Sequence, residues 1–239
     1  MEVRGERECT DCGAQWTYYE TGSIECPECG SLRSVGVGER AEHTAGPAEL
    51  DLQPALEKID DETLESVADT AVEQCRGYLR TAGFVHAGEL LPLSETYLLA
   101  AELRRVGTTV GRALRVSDDE ELYVLSLLRG GADGERPPPA EVPDSLRAER
   151  GLAVAAAAEA YISDVRRVYE DPEPAVTDVL SAVRARYKRI QALDGDVSPT
   201  ESEAVVRALR DLGDYLRGSD ETALARARNR FDEESDSKF

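Results

Sequence analysis

Four cysteines near the N-terminus constrain the fold of this 239-residue chain more than any other feature. Cys9 and Cys12 form one C-x-x-C pair, and Cys26 and Cys29 form a second pair after thirteen intervening residues. Each pair is followed directly by a glycine, whose freedom to adopt a positive φ lets backbone N–H groups point at cysteine sulfur. Two tight turns of this kind aim four thiolates at one metal ion. The pattern predicts a four-cysteine zinc site with these residues as ligands.

The predicted role of the zinc ion is structural. Four thiolates satisfy its tetrahedral preference and leave no open position for water or substrate. A single ion then replaces the hydrophobic core that a module of about 30 residues cannot build alone.

The segment between the two cysteine pairs predicts a β-hairpin. Residues 15–20 are rich in β-forming side chains, residues 21–23 favour a turn, and residues 24–25 lead back to the second pair. We therefore expect a zinc ribbon over residues 1–40. Because so small a module cannot bury Trp16, Tyr18 and Tyr19 together, at least one of these rings is expected to dock on the rest of the chain or on a partner.

The remainder of the chain predicts helices. Apolar residues recur at helical spacing, most cleanly at Val176, Leu180, Val183, Tyr187, Ile190 and Leu193. Six or seven helices with one apolar face each must pack on one another. The prediction is a mainly α protein, with a linker over 41–53, a bundle-like helical domain over 54–232 and a disordered tail over 233–239. Residues 130–143, with three glycines and four prolines, are expected to form an exposed loop inside that domain.

Composition bounds the environment of the protein. The chain has no apolar run long enough to span a membrane, and its first eight residues lack the apolar core of a secretory signal. Five cysteines, four of them in C-x-x-C pairs, suit a reducing compartment, so the expected location is the cytoplasm.

The charge balance is strongly acidic. The net charge is −20, from 48 acidic against 28 basic residues, and lysine occurs only at positions 58, 188 and 238. Such a surface is typical of proteins that work in molar salt, where the Debye length falls to about 3 Å and self-repulsion is screened. An ordinary acidic protein from a GC-rich genome is the alternative.

Two resemblances accompany these patterns. Residues 6–33 resemble the zinc ribbon at the N-terminus of archaeal transcription factor B, which implies Cys9, Cys12, Cys26 and Cys29 as the zinc ligands. The whole chain resembles a set of uncharacterised haloarchaeal proteins, notably at residues 7–9, 18–22 and 32–36. That second resemblance implies an N-terminal ribbon followed by an acidic helical region, and no activity.

Two other metal or redox chemistries compete with zinc. The cysteine pairs also resemble those of rubredoxin, which binds iron for electron transfer but separates its pairs by about twice this distance. A redox-active C-x-x-C is disfavoured because two matched pairs favour a metal and no βαβ pattern surrounds them.

Other reactive residues have ordinary structural explanations. Cys75 lies on the apolar face of a predicted helix, as a buried structural thiol would. His86 and Glu89 could form an acid–base pair, but a solvated loop pair is the simpler interpretation. The basic clusters Arg184, Arg186, Lys188, Arg189 and Arg226, Arg228, Arg230 could contact phosphate, although pairing with the abundant acids is favoured.

These observations favour a non-enzymatic protein that binds another protein, as an adaptor linked to transcription. A nucleic-acid-binding regulator, acting through the ribbon and the arginine clusters, is the alternative; the net charge disfavours it. An enzyme with a pocket in the helical domain is the third hypothesis. The sequence assigns neither the identity of the partner nor an oligomeric state.

Overall fold

The computed structural model describes residues 1–218, 220 and 222–236. Over this part of the chain, a small N-terminal β region is followed by a helical body, which confirms the predicted mainly α fold. The strands are β1 (Glu2–Arg4), β2 (Glu6–Cys9), β3 (Gln15–Thr17), β4 (Ser34–Gly36), β5 (Arg40–Glu42), β6 (Val85–His86) and β7 (Glu89–Leu90). The α-helices are α1 (Tyr18–Thr21), α2 (Gln53–Leu56), α3 (Leu64–Thr81), α4 (Glu95–Gly111), α5 (Asp118–Asp133), α6 (Arg147–Val168), α7 (Pro174–Ala192), α8 (Pro199–Leu216) and α9 (Ala223–Asp236).

The N-terminal sheet differs from the predicted hairpin. Strand β2 lies in the centre, antiparallel to both β3 and β4. The first cysteine turn connects β2 to β3 and the second precedes β4, so no hairpin joins the two turns in the part of the chain that the structure describes. The return strand expected at 24–25 is absent from the described structure because the chain leaves β3 in the helical turn α1. Thr17 caps this turn by accepting a hydrogen bond from the Tyr19 backbone N–H, and Gly22 ends it with a φ of 61°.

The helical body contains two hydrophobic clusters that share helix α4. One cluster is built from α2, α3, α4 and α5 and includes Val67, Leu103 and Leu127. The other is built mainly from α6, α7, α8 and α9 and includes Tyr161 and Leu209. Helix α4 supplies Leu99 to the first cluster and Leu98 to the second, so it is apolar on several sides, as a central helix must be.

The glycine-rich end of helix α5 corrects the prediction of an exposed loop over 130–143. The helix continues through Gly130 and Gly131 and ends at Gly134, which has a φ of 68°. A Cβ at Gly130 would lie 2.1 Å from the Glu135 carbonyl oxygen, and one at Gly131 would lie 2.3 Å from Leu52 Cδ1. These glycines therefore serve close packing, and only the segment after them is a loop.

The segment predicted as a linker makes hydrogen bonds to the helical body. Residues 40–42 form β5, which pairs with β1, and the backbone of Thr44 and Gly46 bonds to Val85 and Thr81. The predicted tail over 233–239 begins within α9, which continues to Asp236; residues 237–239 lie outside the described residues. Among the described residues, no helix is both long and apolar enough to cross a membrane.

Candidate metal centre

The four predicted ligands lie together in the folded chain. Their sulfur atoms are all within 4.8 Å of one another, with 3.7 Å between the Sγ atoms of Cys9 and Cys29 and 3.6 Å between those of Cys12 and Cys26. A zinc ion bonded to four sulfurs at about 2.3 Å in a tetrahedron would place those sulfurs about 3.8 Å apart. The cluster therefore has the dimensions of a tetrahedral metal site.

The two cysteine turns are built alike. In each turn, the carbonyl of the first cysteine accepts a hydrogen bond from the N–H of the glycine that follows the pair, at 3.0 Å for Cys9 and 2.9 Å for Cys26. The first cysteine also donates its own N–H to the carbonyl five residues later, at 2.8 Å and 2.9 Å. The glycines have φ values of 76° and 70°, a region that L side chains rarely adopt. The same local sequence therefore produces two equivalent pairs of converging thiols.

Backbone amides stabilise the thiolate form of this cluster. The N–H groups of Cys12, which has the largest effect, and of Asp11 lower the pKa of Cys9 to about 7, although burial acts to raise it. At Cys29 the Ser31 N–H acts in the same direction, but the neighbouring thiols of Cys12 and Cys26 outweigh it and raise the pKa to about 12. Four thiolates this close repel one another, so all four ionise together only when a cation compensates their charge.

The donor set fits zinc. Four sulfur donors at tetrahedral spacing suit a soft or borderline metal and exclude magnesium and calcium, which prefer oxygen. Cys9 and Cys26 are buried, while Cys12 and Cys29 lie at the surface. The four residues can hold one metal ion, and with four protein ligands the ion has no open position for a substrate.

The sheet holds the two cysteine turns together. Cys9 lies opposite Ser34 in the β2–β4 register, so the strand that ends in the first turn pairs with the strand that follows the second. Arg7 donates from Nε to Ser34 Oγ at 3.0 Å, and Ser31 Oγ donates to Asp11 Oδ2 at 2.5 Å. The buried Trp16 ring packs against Cys9 and Cys26 and donates its indole N–H to the Ser23 carbonyl at 3.1 Å.

A family model matches residues 1–231, which include the cysteine cluster and nearly all of the helical body. The chain belongs to DUF7117, a family of unknown function. No curated protein and no solved structure matches the chain. The match runs through both parts of the chain, so the family includes the cysteine cluster together with the helices.

The DUF7117 chain brings its two histidines together where the β region meets the helical body. The rings of His43 and His86 have centroids 5.3 Å apart, and Tyr19 lies 4.8 Å from the first and 5.8 Å from the second. The prediction that an aromatic ring of the ribbon docks on the rest of the chain is therefore confirmed for Tyr19. Glu89 lies opposite His86 in the β6–β7 register, but His86 makes its ring contacts with Tyr19 and His43.

His43 is the most enclosed group of this cluster. Its Nδ1 accepts the Ala87 N–H at 3.3 Å, and its buried Nε2 has no hydrogen-bond partner among the described residues. Burial lowers the pKa of His43, and the charges of His86 and the N-terminal amino group lower it further. The phenol ring of Tyr18 also faces His43, at 6.2 Å. The neutral imidazole is therefore the form that this contact favours.

A second contact between the two parts was not predicted. The buried carboxylate of Asp164 on α6 accepts hydrogen bonds from Thr44 Oγ1 at 2.6 Å and from the Phe84 N–H at 2.9 Å. Thr44 Oγ1 in turn accepts the Val85 N–H at 3.0 Å. In the sequence, the only indication of this contact is a lone aspartate within a predicted apolar helix. The sequence does not indicate that Thr44 and Phe84 are its partners.

Cys75 and five residues of the two basic clusters have structural explanations. Cys75 is fully buried, and this burial raises its pKa to about 12. Lys188 pairs with Glu159, and Arg189 contacts Glu201. The second arginine cluster is likewise paired with acids: Arg226 and Arg230 with Asp211, and Arg228 with Asp178.

A buried ionic network joins the two hydrophobic clusters. The Glu102 carboxylate on α4 lies 3.4 Å from Nη1 of both Arg136 and Arg150 and accepts a hydrogen bond from the Tyr123 hydroxyl. Glu203 on α8 contacts the same two arginines, at 2.7 Å and 3.1 Å. The network ties α4, α5, α6 and α8 to the loop after α5, and the sequence signal for it was a single glutamate among the leucines of α4.

Proposed function

We propose that this protein is a non-enzymatic binding or adaptor factor whose zinc-stabilised β region docks on another protein. The observation that carries the proposal is a group of exposed aliphatic side chains beside the cysteine cluster. Ile24 is 48% exposed, Leu32 is 68% exposed and Val35 is 49% exposed. Exposed aliphatic groups concentrated in one place are typical of protein interaction sites.

The backbone of these three residues meets at Ser34. Ser34 donates from its hydroxyl to the Ile24 carbonyl at 2.7 Å and from its N–H to the Leu32 carbonyl at 3.1 Å, and Val35 follows it in β4. A closed metal centre with four cysteine ligands can stabilise this surface without taking part in chemistry. We call Ile24, Leu32 and Val35 the aliphatic patch.

The charge around the aliphatic patch defines the partner. Residues 1–40 contain four arginines and eight acidic residues, a net charge of −4. A zinc ion with four thiolates adds about −2 by charge counting. We therefore infer a partner surface with an apolar centre and a rim of lysine and arginine, because complementary charge favours association and like charge opposes it.

The resemblance to the ribbon of transcription factor B suggests the transcription apparatus as the source of this partner. Five cysteines, four of them in C-x-x-C pairs, suit a reducing compartment, so a cytoplasmic location is part of the proposal. The nucleic-acid-binding alternative receives less support, since Lys188, Arg189 and the arginines at 226, 228 and 230 have acidic partners within the chain.

The proposal is tested with the full chain, loaded with zinc and immobilised in high salt. Charge is introduced into the aliphatic patch by Leu32→Asp and Val35→Asp. Leu114→Asp is the matched control, because Leu114 is 102% exposed and lies in the connection between α4 and α5, in the helical body. We expect a basic-rimmed protein to be captured by the wild type and the control and lost with both patch variants, while zinc content is unchanged. Equal capture by all four proteins, or capture by none, would refute the proposal.

We also propose that the protein works in high salt. Its net charge of −20 makes the folded chain repel itself, and salt screens this repulsion. The melting temperature is expected to rise steadily with KCl and to rise less in a variant with several surface acids changed to amides. A melting temperature that does not depend on KCl would contradict this proposal.

A further inference from the structure

A groove lined by arginines runs between helices α3, α4 and α6. It consists of two adjoining cavities of about 410 and 300 Å³, which share Arg76 on α3 and Arg104 on α4. The first cavity is also lined by Arg80, and the second is also lined by Arg105 and by the acidic Glu149. Cavities of this size are typical of small-molecule sites. We call this feature the arginine groove.

The arginine groove has more positive charge than its own acids compensate. Arg76 pairs with Glu73 at 2.8 Å, and Arg105 pairs with Glu149 at 3.2 Å. Within the described ranges, Arg80 and Arg104 have no ion-pair partner, and the buried Nε of Arg104 has no hydrogen-bond acceptor. In a chain with 48 acidic residues, two guanidinium groups left without an acid in one concave place indicate an anionic ligand.

The two ends of the arginine groove differ in chemistry. The first cavity has an apolar side formed by Leu79, Tyr97 and three alanines of α4 and α6. The Tyr97 ring is held by Phe84, with ring centroids 4.6 Å apart, so its position is fixed by packing. The second cavity is polar: the Thr109 hydroxyl donates to Glu149 Oε1 at 2.7 Å, and the Thr108 hydroxyl donates to the Arg104 carbonyl at 2.6 Å. The groove therefore offers an apolar surface next to the guanidinium groups of Arg76, Arg80 and Arg104.

We propose that the arginine groove binds a nucleotide-sized phosphate ester. The phosphate groups would contact Arg76, Arg80 and Arg104, whose planar guanidinium groups match phosphate oxygens with two parallel hydrogen bonds. The base or another apolar moiety would lie against Leu79 and Tyr97. This site is remote in sequence from the cysteine cluster and does not depend on the adaptor function proposed above.

The test measures binding to the zinc-loaded full chain by isothermal titration calorimetry at fixed ionic strength. The probes are adenosine 5′-diphosphate, inorganic pyrophosphate and adenosine. We expect the diphosphate to bind with one-to-one stoichiometry, pyrophosphate to bind more weakly and adenosine not to bind. Adenosine binding as tightly as the diphosphate would remove the role of the arginines, and pyrophosphate binding equally tightly would remove the role of the apolar side.

Arginine variants separate the groove from the general surface charge. Arg104→Gln and Arg80→Gln are each expected to weaken diphosphate binding by about tenfold or more, because a hydrogen bond to a charged group is lost. Arg129→Gln is the charge-matched control, since Arg129 is exposed on α5 and does not line the groove. Arg80→Gln also serves if Arg104→Gln fails to fold. Unchanged affinity in both groove variants, or no diphosphate binding up to about 1 mM, would overturn the proposal.

Discussion

The buried ionic network around Glu102 supports a prediction about stability. The change is Glu102→Gln, which keeps the size of the side chain and an oxygen that can still accept from Tyr123. It removes the negative charge that faces Arg136 and Arg150 and places amide N–H donors near them. Glu102 is 0% exposed, and the two arginine side chains are 3% and 1% exposed, so water cannot replace the lost carboxylate.

The expected loss of unfolding free energy depends on how many acidic partners Arg136 and Arg150 keep. Removing one partner of a buried ion pair typically costs about 3–5 kcal/mol of unfolding free energy, because the other charge is left without compensation. Glu203 still contacts both arginines, and Glu95 lies 3.4 Å from Arg136. The loss is therefore expected at the lower end, about 3 kcal/mol. Burial acts to lower the pKa of Arg150, but the charge of Glu102 and the contact with the Tyr123 hydroxyl outweigh it and raise that pKa, so this arginine stays charged.

The measurement is urea denaturation followed by far-ultraviolet circular dichroism at a fixed KCl concentration, since urea carries no charge and leaves screening unchanged. The matched control is Glu73→Gln, which removes an exposed carboxylate that pairs with Arg76 and is expected to cost at most about 1 kcal/mol. Arg150→Met combined with Glu102→Gln should cost less than the sum of the single changes, because the two groups are in contact. If Glu102→Gln is no more destabilising than Glu73→Gln, the reasoning about the network is refuted.

Three further predictions concern the thiols and the histidine contact. The purified chain should contain about one zinc ion by elemental analysis. Cys26→Ser should lower that zinc content, and Cys75→Ser should not. Equal zinc content in both variants would contradict the assignment of ligands. Folding lowers the pKa of His43, so the unfolded chain binds the proton more readily than the folded chain. The contribution of His43 to the free energy of unfolding is therefore fully present above the unfolded pKa of about 6.5 and is lost as pH falls below it. His43→Gln should flatten that fall in urea midpoints relative to His86→Gln; parallel curves would count against this role. Cys75, buried and with a pKa of about 12, should resist iodoacetamide until the chain unfolds, even when a chelator exposes the other four thiols; early alkylation seen by mass spectrometry would show that the core opens.

The contrast between predicted and observed structure is clearest in the N-terminal region. The cysteine spacing and the glycines predicted two matched turns, because a C-x-x-C-G turn is determined by backbone geometry within five residues. The same reasoning predicted a hairpin between the turns, and there it was wrong. The Thr17 cap and Gly22 allow a helical turn at residues 18–21, and the strand that pairs with β2 instead comes from residues 34–36. Pairing between distant segments depends on cross-strand packing and burial, which local β propensity does not encode.

Helix α5 shows a similar limit of prediction from the local sequence. Glycine is usually disfavoured inside a helix, so the glycines at 130 and 131 predicted a loop. The structure uses their missing side chains to admit the Glu135 carbonyl and Leu52 at close range. Only the tertiary contact distinguishes a glycine that ends a helix from one that permits close packing.

The sequence by itself determined the features that depend on neighbouring residues. These are the mainly helical fold, the cysteine turns and the excess of negative charge. Only the tertiary structure decided which residues meet across long stretches of chain: the histidines at 43 and 86, Glu102 with its arginines, and the arginines of the groove between α3, α4 and α6. The physical reason is that periodicity and capping act within a few residues, whereas a buried charge or an enclosed ring takes its character from groups that folding brings beside it.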